Sequence, residues 1–229
     1  MHFRGCSGRH NRLSHSYHSG ETSDIQTFIA SLKSRYPDRK IAAIGISLGG
    51  NALLKYLGEQ GNACPLTAAM AISIPFDLAD SANELNTGFS KLYQRYLINS
   101  LCHKMRDKFK DKPAPIDLDK LNEWTDFYSF DHNVTATLHG FTSAEDYYTK
   151  SSCKQFLKNI TKPTLILHSK DDPFMSQKAI PSEDELSSSV TLELTKHGGH
   201  VGFIYGNMPF KEKYWYETKM VTFLKCTFK

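Results

Sequence analysis

Apolar residues recur along this chain with two alternating periods. Ile25, Phe28, Ile29 and Leu32 fall on one helical face and predict a helix from Ser23 to about Tyr36-Pro37, with Ser23 and Gln26 in the positions of a capping box. Lys40-Ile41-Ala42-Ala43-Ile44-Gly45-Ile46 is short and almost wholly apolar, the pattern of a parallel strand covered on both faces. A helix follows from Leu48 to Gly58, with Ala52, Leu53, Tyr56 and Leu57 as its buried stripe and Gly61 as its stop. Ala68 to Ile74 reads as a second buried strand, Pro163 to His168 as a third and Val190 to Thr195 as a fourth. A closing helix carries Tyr214, Trp215, Met220, Val221, Phe223 and Leu224. Alternating buried strands and helices predict an α/β fold with a mainly parallel sheet.

Leu78 to about Lys158 breaks this rhythm. The stretch holds no comparable strand candidate but is rich in aromatic residues, among them Phe89, Tyr93, Tyr96, Trp124, Phe127 and Tyr148. It reads as a helical insertion, a lid or cap, with an internal break at Lys112-Pro113-Ala114-Pro115; a helical part of the core is the alternative. The expected division is residues 1–77 as the first part of the core, 78–158 as the insertion, and 159–229 as the second part of the core.

Composition narrows the class further. With 229 residues, 40% of them hydrophobic and 23% charged, the chain can bury a sizeable core. No apolar run is long enough to cross a bilayer, and Met1 to Asn11, with Arg4 and Arg9, lacks the apolar centre of a secretory signal, so a cytoplasmic location is expected. The net charge of +4 comes from 28 basic and 24 acidic residues that are largely interspersed, so no nucleic-acid partner is expected. The densest basic stretch, Lys104 to Lys112, reads as a solvated helix face. Five scattered cysteines suggest free thiols in a reducing compartment, and their spacing suggests no metal.

The chemistry concentrates at strand ends. Gly45-Ile46-Ser47-Leu48-Gly49 is a G-x-S-x-G pattern lying between a strand and a helix, where a sharp turn exposes the serine hydroxyl. The flanking glycines are expected to avoid collisions with the neighbouring strand and helix. A serine needs a base, and the base needs a third group to orient it. Asp172 follows the third strand and His200 the fourth, giving the chain order Ser, Asp, His. Asp171 and His197 are the competing neighbours. Asp172 is preferred for the Asp-Pro-Phe-Met turn that it opens, and His200 for the freedom that Gly198-Gly199 gives its loop. A metal site on His197 and His200 lacks a carboxylate or cysteine partner at suitable spacing. His15, His18, His132 and His139 read as surface or structural hydrogen-bonding groups.

The chain resembles the YheT-like branch of the alpha/beta-hydrolase-domain esterases. The likeness rests on Phe3-Arg4-Gly5-Cys6-Ser7-Gly8, Tyr17-His18-Ser19-Gly20-Glu21-Thr22, Gly45 through Asn51, Lys170-Asp171-Asp172-Pro173-Phe174 and His197 through Gly202. The resemblance implies an alpha/beta-hydrolase fold and a serine carboxylester hydrolase for short- to medium-chain or lipid-like esters. Ser47 would be its nucleophile, Asp172 its orienting acid, His200 its base and the Leu48 amide one oxyanion donor, with no cofactor or metal and an insertion that caps an acyl pocket. In that family Phe3 to Gly8 follows the fourth strand. The expected sheet is therefore partial and lacks the N-terminal strands, a deficit of roughly 90 residues, and no segment matches the loop that supplies the second oxyanion donor. Such a chain would leave Ile41 to Ile46 as an unpaired edge and is expected to be poorly soluble. A non-catalytic remnant and an acyltransferase using the same acyl-enzyme are the alternatives.

Overall fold

The computed structural model describes residues 1–205 and 212–228. In chain order the first elements are α1 (Ser23–Arg35), β1 (Ala42–Ile46), α2 (Leu48–Gln60) and β2 (Ala68–Ile72). A helical stretch then runs through α3 (Leu78–Leu85), α4 (Ser90–Phe109), α5 (Phe127–Phe130), a π-turn over Asp131–Thr135, α6 (Ala136–His139) and α7 (Ala144–Ser151). The chain closes with β3 (Thr164–Ser169), β4 (Val190–Thr195), the two-residue strands β5 (Ile204–Tyr205) and β6 (Lys213–Tyr214), and α8 (Trp215–Thr227). These fall into two compact units: Met1–His18 with Asp77–Ser151, and Ser19–Phe76 with Ser152–Lys229.

The second unit holds a parallel sheet in the order β1-β2-β3-β4. All five residues of β2 and all six of β3 are buried, as expected of central strands with helices on both faces. On one face Met70, Ile72, Leu165 and Leu167 form a cluster with Phe203, against which Trp215, Tyr216, Met220 and Phe223 pack. α2 packs on β1 and β2 and is buried continuously from Gly50 to Gly58, so it behaves as a core helix with no solvated face.

Two expectations about this unit need correction. β1 is not covered on both faces: Ile44 and Ile46 are 39% and 44% exposed. They pair in register with Met70 and Ile72 and share the face on which α8 packs, but α8 lies over β2 and leaves the outer strand beyond its cover. The α1 capping box does not form, because the helix begins at Ser23 and the Glu21 carboxylate accepts from the Ser23 amide at 2.9 Å. The antiparallel pair of β5 and β6 is too short to register in an apolar pattern.

In the other unit, Ile98, Cys102, Met105 and Phe109 line the inner face of α4 and pack with Ile116, Leu121, Phe130 and Val134. The basic stretch of this helix is solvated only in part. Lys108 is buried, and its ammonium donates to Asn11 Oδ1, the His15 carbonyl and Ser16 Oγ at 2.8–2.9 Å. Burial, followed by the charges of Lys112, Arg4 and Lys104, pushes its pKa down to about 8. Among the described residues no helix is long and apolar enough to cross a membrane.

Candidate active site

Because the four strands are parallel and in register, their carboxyl ends share one edge of the sheet, where α/β proteins place ligands. Ser47 follows β1 at that edge with φ +52° and ψ −124°, and its amide donates to the Ile72 carbonyl at 2.8 Å. Such a backbone costs about 1–3 kcal/mol for a residue bearing a side chain. The turn is held by close packing beneath it: a Cβ on Gly45 would lie 2.5 Å from the Gly49 carbonyl oxygen and 2.7 Å from the Gly50 Cα. Gly49 behaves differently from expectation, since a Cβ there would meet nothing within 4 Å. Leu48 is the first residue of α2, and its amide belongs to the opening turn whose N–H groups the helix leaves without internal partners.

The loops after β3 and β4 supply the other groups. His200 Nδ1 lies 2.9 Å from Asp172 Oδ2, and its Nε2 lies 2.9 Å from Ser47 Oγ. With a neutral imidazole, Nδ1–H donates to the carboxylate and Nε2 accepts from the hydroxyl. The Asp172 side chain is 1% exposed and the His200 side chain 16%. Asp172 Oδ1 accepts from the Phe174 amide at 3.0 Å, so both carboxylate oxygens are held. The Phe174 ring lies 4.5 Å from the imidazole, centroid to centroid.

Asp171 and His197 form a separate pair. His197 Nδ1 lies 3.3 Å from Asp171 Oδ2, and the His197 side chain is 88% exposed. The other oxygen of Asp171 accepts from the amides of Gly198 and Gly199, both at 2.9 Å, and from the Ser169 hydroxyl. Desolvation alone raises the Asp171 carboxyl, but the hydrogen bonds from Ser169, Gly199, His197 and Gly198 outweigh it and bring the pKa down to about 2. The two histidines do not converge on one point, and among the described residues no group of three His, Cys, Asp or Glu could hold a metal ion.

Sequence reasoning missed three residues here. Ser73 follows β2 as Ser47 follows β1, shares its φ of +52°, is fully buried, and accepts from the Val201 amide at 3.1 Å, which ties down the loop carrying His200. Its rank in the sheet, one residue past the Ile46–Ile72 pair, was the available signal. Asn51, fully buried on α2, donates to the Ser19 carbonyl and accepts from the Cys153 amide at 2.8 and 2.9 Å. His168, on β3, packs against Phe76 with the two rings tilted 59° to each other, centroids 5.2 Å apart. Burial, with His200 adding to it and Asp172 opposing, lowers its pKa to about 4, which keeps it neutral near pH 7.

A strained serine turn in contact with a histidine and a buried aspartate, at the carboxyl edge of a parallel sheet, is the arrangement of alpha/beta hydrolases. The profile of the alpha/beta hydrolase fold matches residues 1–207, and the chain belongs to that family. It is 43% identical to the YheT protein of Escherichia coli over 226 residues, covering 98% of this chain and 66% of that protein. It is 32% identical to human phospholipase ABHD3 over 213 residues, covering 92% and 52%, and 31% identical to a monoacylglycerol lipase of Saccharomyces cerevisiae over 220 residues, covering 91% and 47%. The chain thus spans about two thirds of the first relative's length and about half of the other two. An esterase of Pyrococcus furiosus shares the fold with a TM-score of 0.53 at 14% identity, over 98% of this chain and 68% of that one.

Proposed function

We propose that this chain is a serine hydrolase that cleaves carboxylic esters through an acyl-enzyme on Ser47, assisted by His200 and Asp172. The observation that carries the reading is the unbroken path from Asp172 Oδ2 through both ring nitrogens of His200 to Ser47 Oγ, with 2.9 Å at each end. In the first half-reaction Ser47 Oγ attacks the ester carbonyl as its proton passes to His200 Nε2, and Asp172 holds the resulting imidazolium. The Leu48 amide, at the positive end of α2, faces charge developing on the carbonyl oxygen. Collapse of the tetrahedral intermediate expels the alcohol, which takes the proton from Nε2. Water then attacks the acyl-enzyme, giving its proton to the same nitrogen, and the acid leaves as the Ser47 hydroxyl is restored.

Short- to medium-chain or lipid-like esters fit this reading best. Phe174 sets an apolar ring beside the base, and two of the relatives are named for lipid esters. The test is labelling of the full chain by a fluorophosphonate, together with hydrolysis of p-nitrophenyl esters of increasing acyl length. The expected result is labelling that vanishes in Ser47→Ala, with hydrolysis falling about 10⁴-fold or more. A properly folded wild-type chain that takes no label overturns the proposal and marks a non-catalytic member of the family.

A further inference from the structure

α4 packs on the core of its unit through Ile98, Cys102 and Met105. Lys91, Arg95, Ile98, Cys102 and Arg106 recur at i, i+4, i+7, i+11 and i+15, so the side of the helix that enters the core also carries three cations. Along this side runs a groove of about 560 Å³, within the usual size range of small-molecule sites. The segment from Leu121 to Asp126 forms its other wall, and there Trp124 both packs on the apolar core and lines the groove. The charge of the groove is unbalanced. Among the described residues the side chains of Lys91 and Arg95 make no ion pair or hydrogen bond, and Arg106 is held by a neutral group, its Nη2 donating to Asn122 Oδ1 at 2.7 Å. The helix has no acidic residue from Ser90 to Arg106. The one acidic residue lining the groove, Asp126, caps α5 with one carboxylate oxygen, which accepts from the Ser129 amide at 2.8 Å.

We propose that this groove binds a nucleoside phosphate. Lys91 and Arg95, one helical turn and about 6 Å apart along the axis, offer an ammonium and a guanidinium fork to the phosphate oxygens. Ile98, Leu121 and Trp124 line the same groove and give a planar base an apolar surface to lie on. Asn99 and Thr125 add uncharged donors and acceptors suited to ribose hydroxyls and base edges. Other anions match this wall less well. Inorganic phosphate would fill only a small part of about 560 Å³, and a fatty-acid chain would take the Asn99 amide and Thr125 hydroxyl from water without giving them a partner. Binding needs no turnover and stands apart from the chemistry proposed for Ser47.

Calorimetric titration of the full chain with AMP, UMP, adenosine and inorganic phosphate is the test. AMP or UMP should bind with a Kd below about 1 mM, more weakly as salt is raised, while adenosine and inorganic phosphate bind about tenfold or more less tightly. Lys91→Glu/Arg95→Glu, both at exposed positions, should lower nucleotide affinity about tenfold or more at an unchanged melting midpoint. Tyr96→Ser, exposed on the other side of α4, should leave it as it is. Ser47→Ala should bind as the wild type does, which separates this result from failure of the esterase reading. Absence of binding by both nucleotides overturns the proposal, as does binding that Lys91→Glu/Arg95→Glu does not change. Adenosine or inorganic phosphate binding as tightly as the nucleotides overturns it too, the first leaving no role for the cations and the second none for the ring. A short oligoadenylate or a glutamate-rich peptide that binds where both mononucleotides fail overturns it in favour of a macromolecular partner.

Discussion

Two Asp–His pairs sit on the same two loops, and they differ mainly in how much water reaches them. Asp171 and His197 meet at 3.3 Å with both side chains substantially exposed, while Asp172 and His200 meet at 2.9 Å with the carboxylate almost fully enclosed. An exposed pair exchanges its partner with water at little cost, so it cannot hold an imidazole in one tautomer or orientation. An enclosed pair can, because any other arrangement strands a polar group away from solvent. Asp171 instead shapes the turn on which His200 rides, by binding the Gly198 and Gly199 amides through one carboxylate oxygen.

Exchanging the members of the pairs gives the largest expected effect. Asp172→Asn should lower kcat about 10⁴-fold through the wrong imidazole tautomer, whereas Asp171→Asn, which only loosens the turn, should cost no more than about tenfold. His200→Gln and His197→Gln should divide the same way. A reversal, read by ester hydrolysis, would assign the orienting role to the exposed pair. Ser73 provides the next test, since it shares the backbone of Ser47 but spends its hydroxyl on the Val201 amide. Ser73→Ala removes one buried hydrogen bond and should slow turnover about tenfold while leaving the pH profile in place. Unchanged turnover would make Ser73 a matter of stability alone. The smallest effect concerns acid stability. The pKa of Asp171 is depressed from 3.8 to about 2, so its ionised form is favoured in the folded chain. That stabilisation is present above pH 3.8 and is lost as pH falls toward 2, so Asp171→Asn should flatten this part of the stability curve, by less than about 1 kcal/mol given the exposure of the pair. Chemical denaturation at stepped pH measures it.

The strands and the turn at Ser47 were legible because buried parallel strands have few alternatives: an apolar run that stops at a small or polar residue marks its own carboxyl end. The chain order of Ser47, Asp172 and His200 was readable for the same reason. The choice between adjacent aspartates could not be made with equal force, because neighbouring residues past a strand end point to opposite sides and one-dimensional spacing does not say which side meets the imidazole. The surroundings of Lys108 were hidden for a different reason. A run of lysines with interspersed aspartates looks solvated until a segment some ninety residues earlier supplies the acceptors. Ile44 and Ile46 misled in the opposite direction, since composition alone does not reveal that α8 stops covering the sheet before β1.

The three oxygens that hold Lys108 lie 92 to 97 residues before it in the chain. The unit they join is discontinuous, entered by Met1–His18, left for the first half of the sheet, and re-entered at Asp77. During vectorial synthesis the segment from Asn11 to Ser16 emerges long before its amine does, and it stays unanchored while β1 and β2 are being made. Neither unit is a contiguous stretch of polypeptide. A ribosome stalled before α4 would therefore carry half a sheet and an Asn11–Ser16 segment whose Lys108 partner has not yet been made.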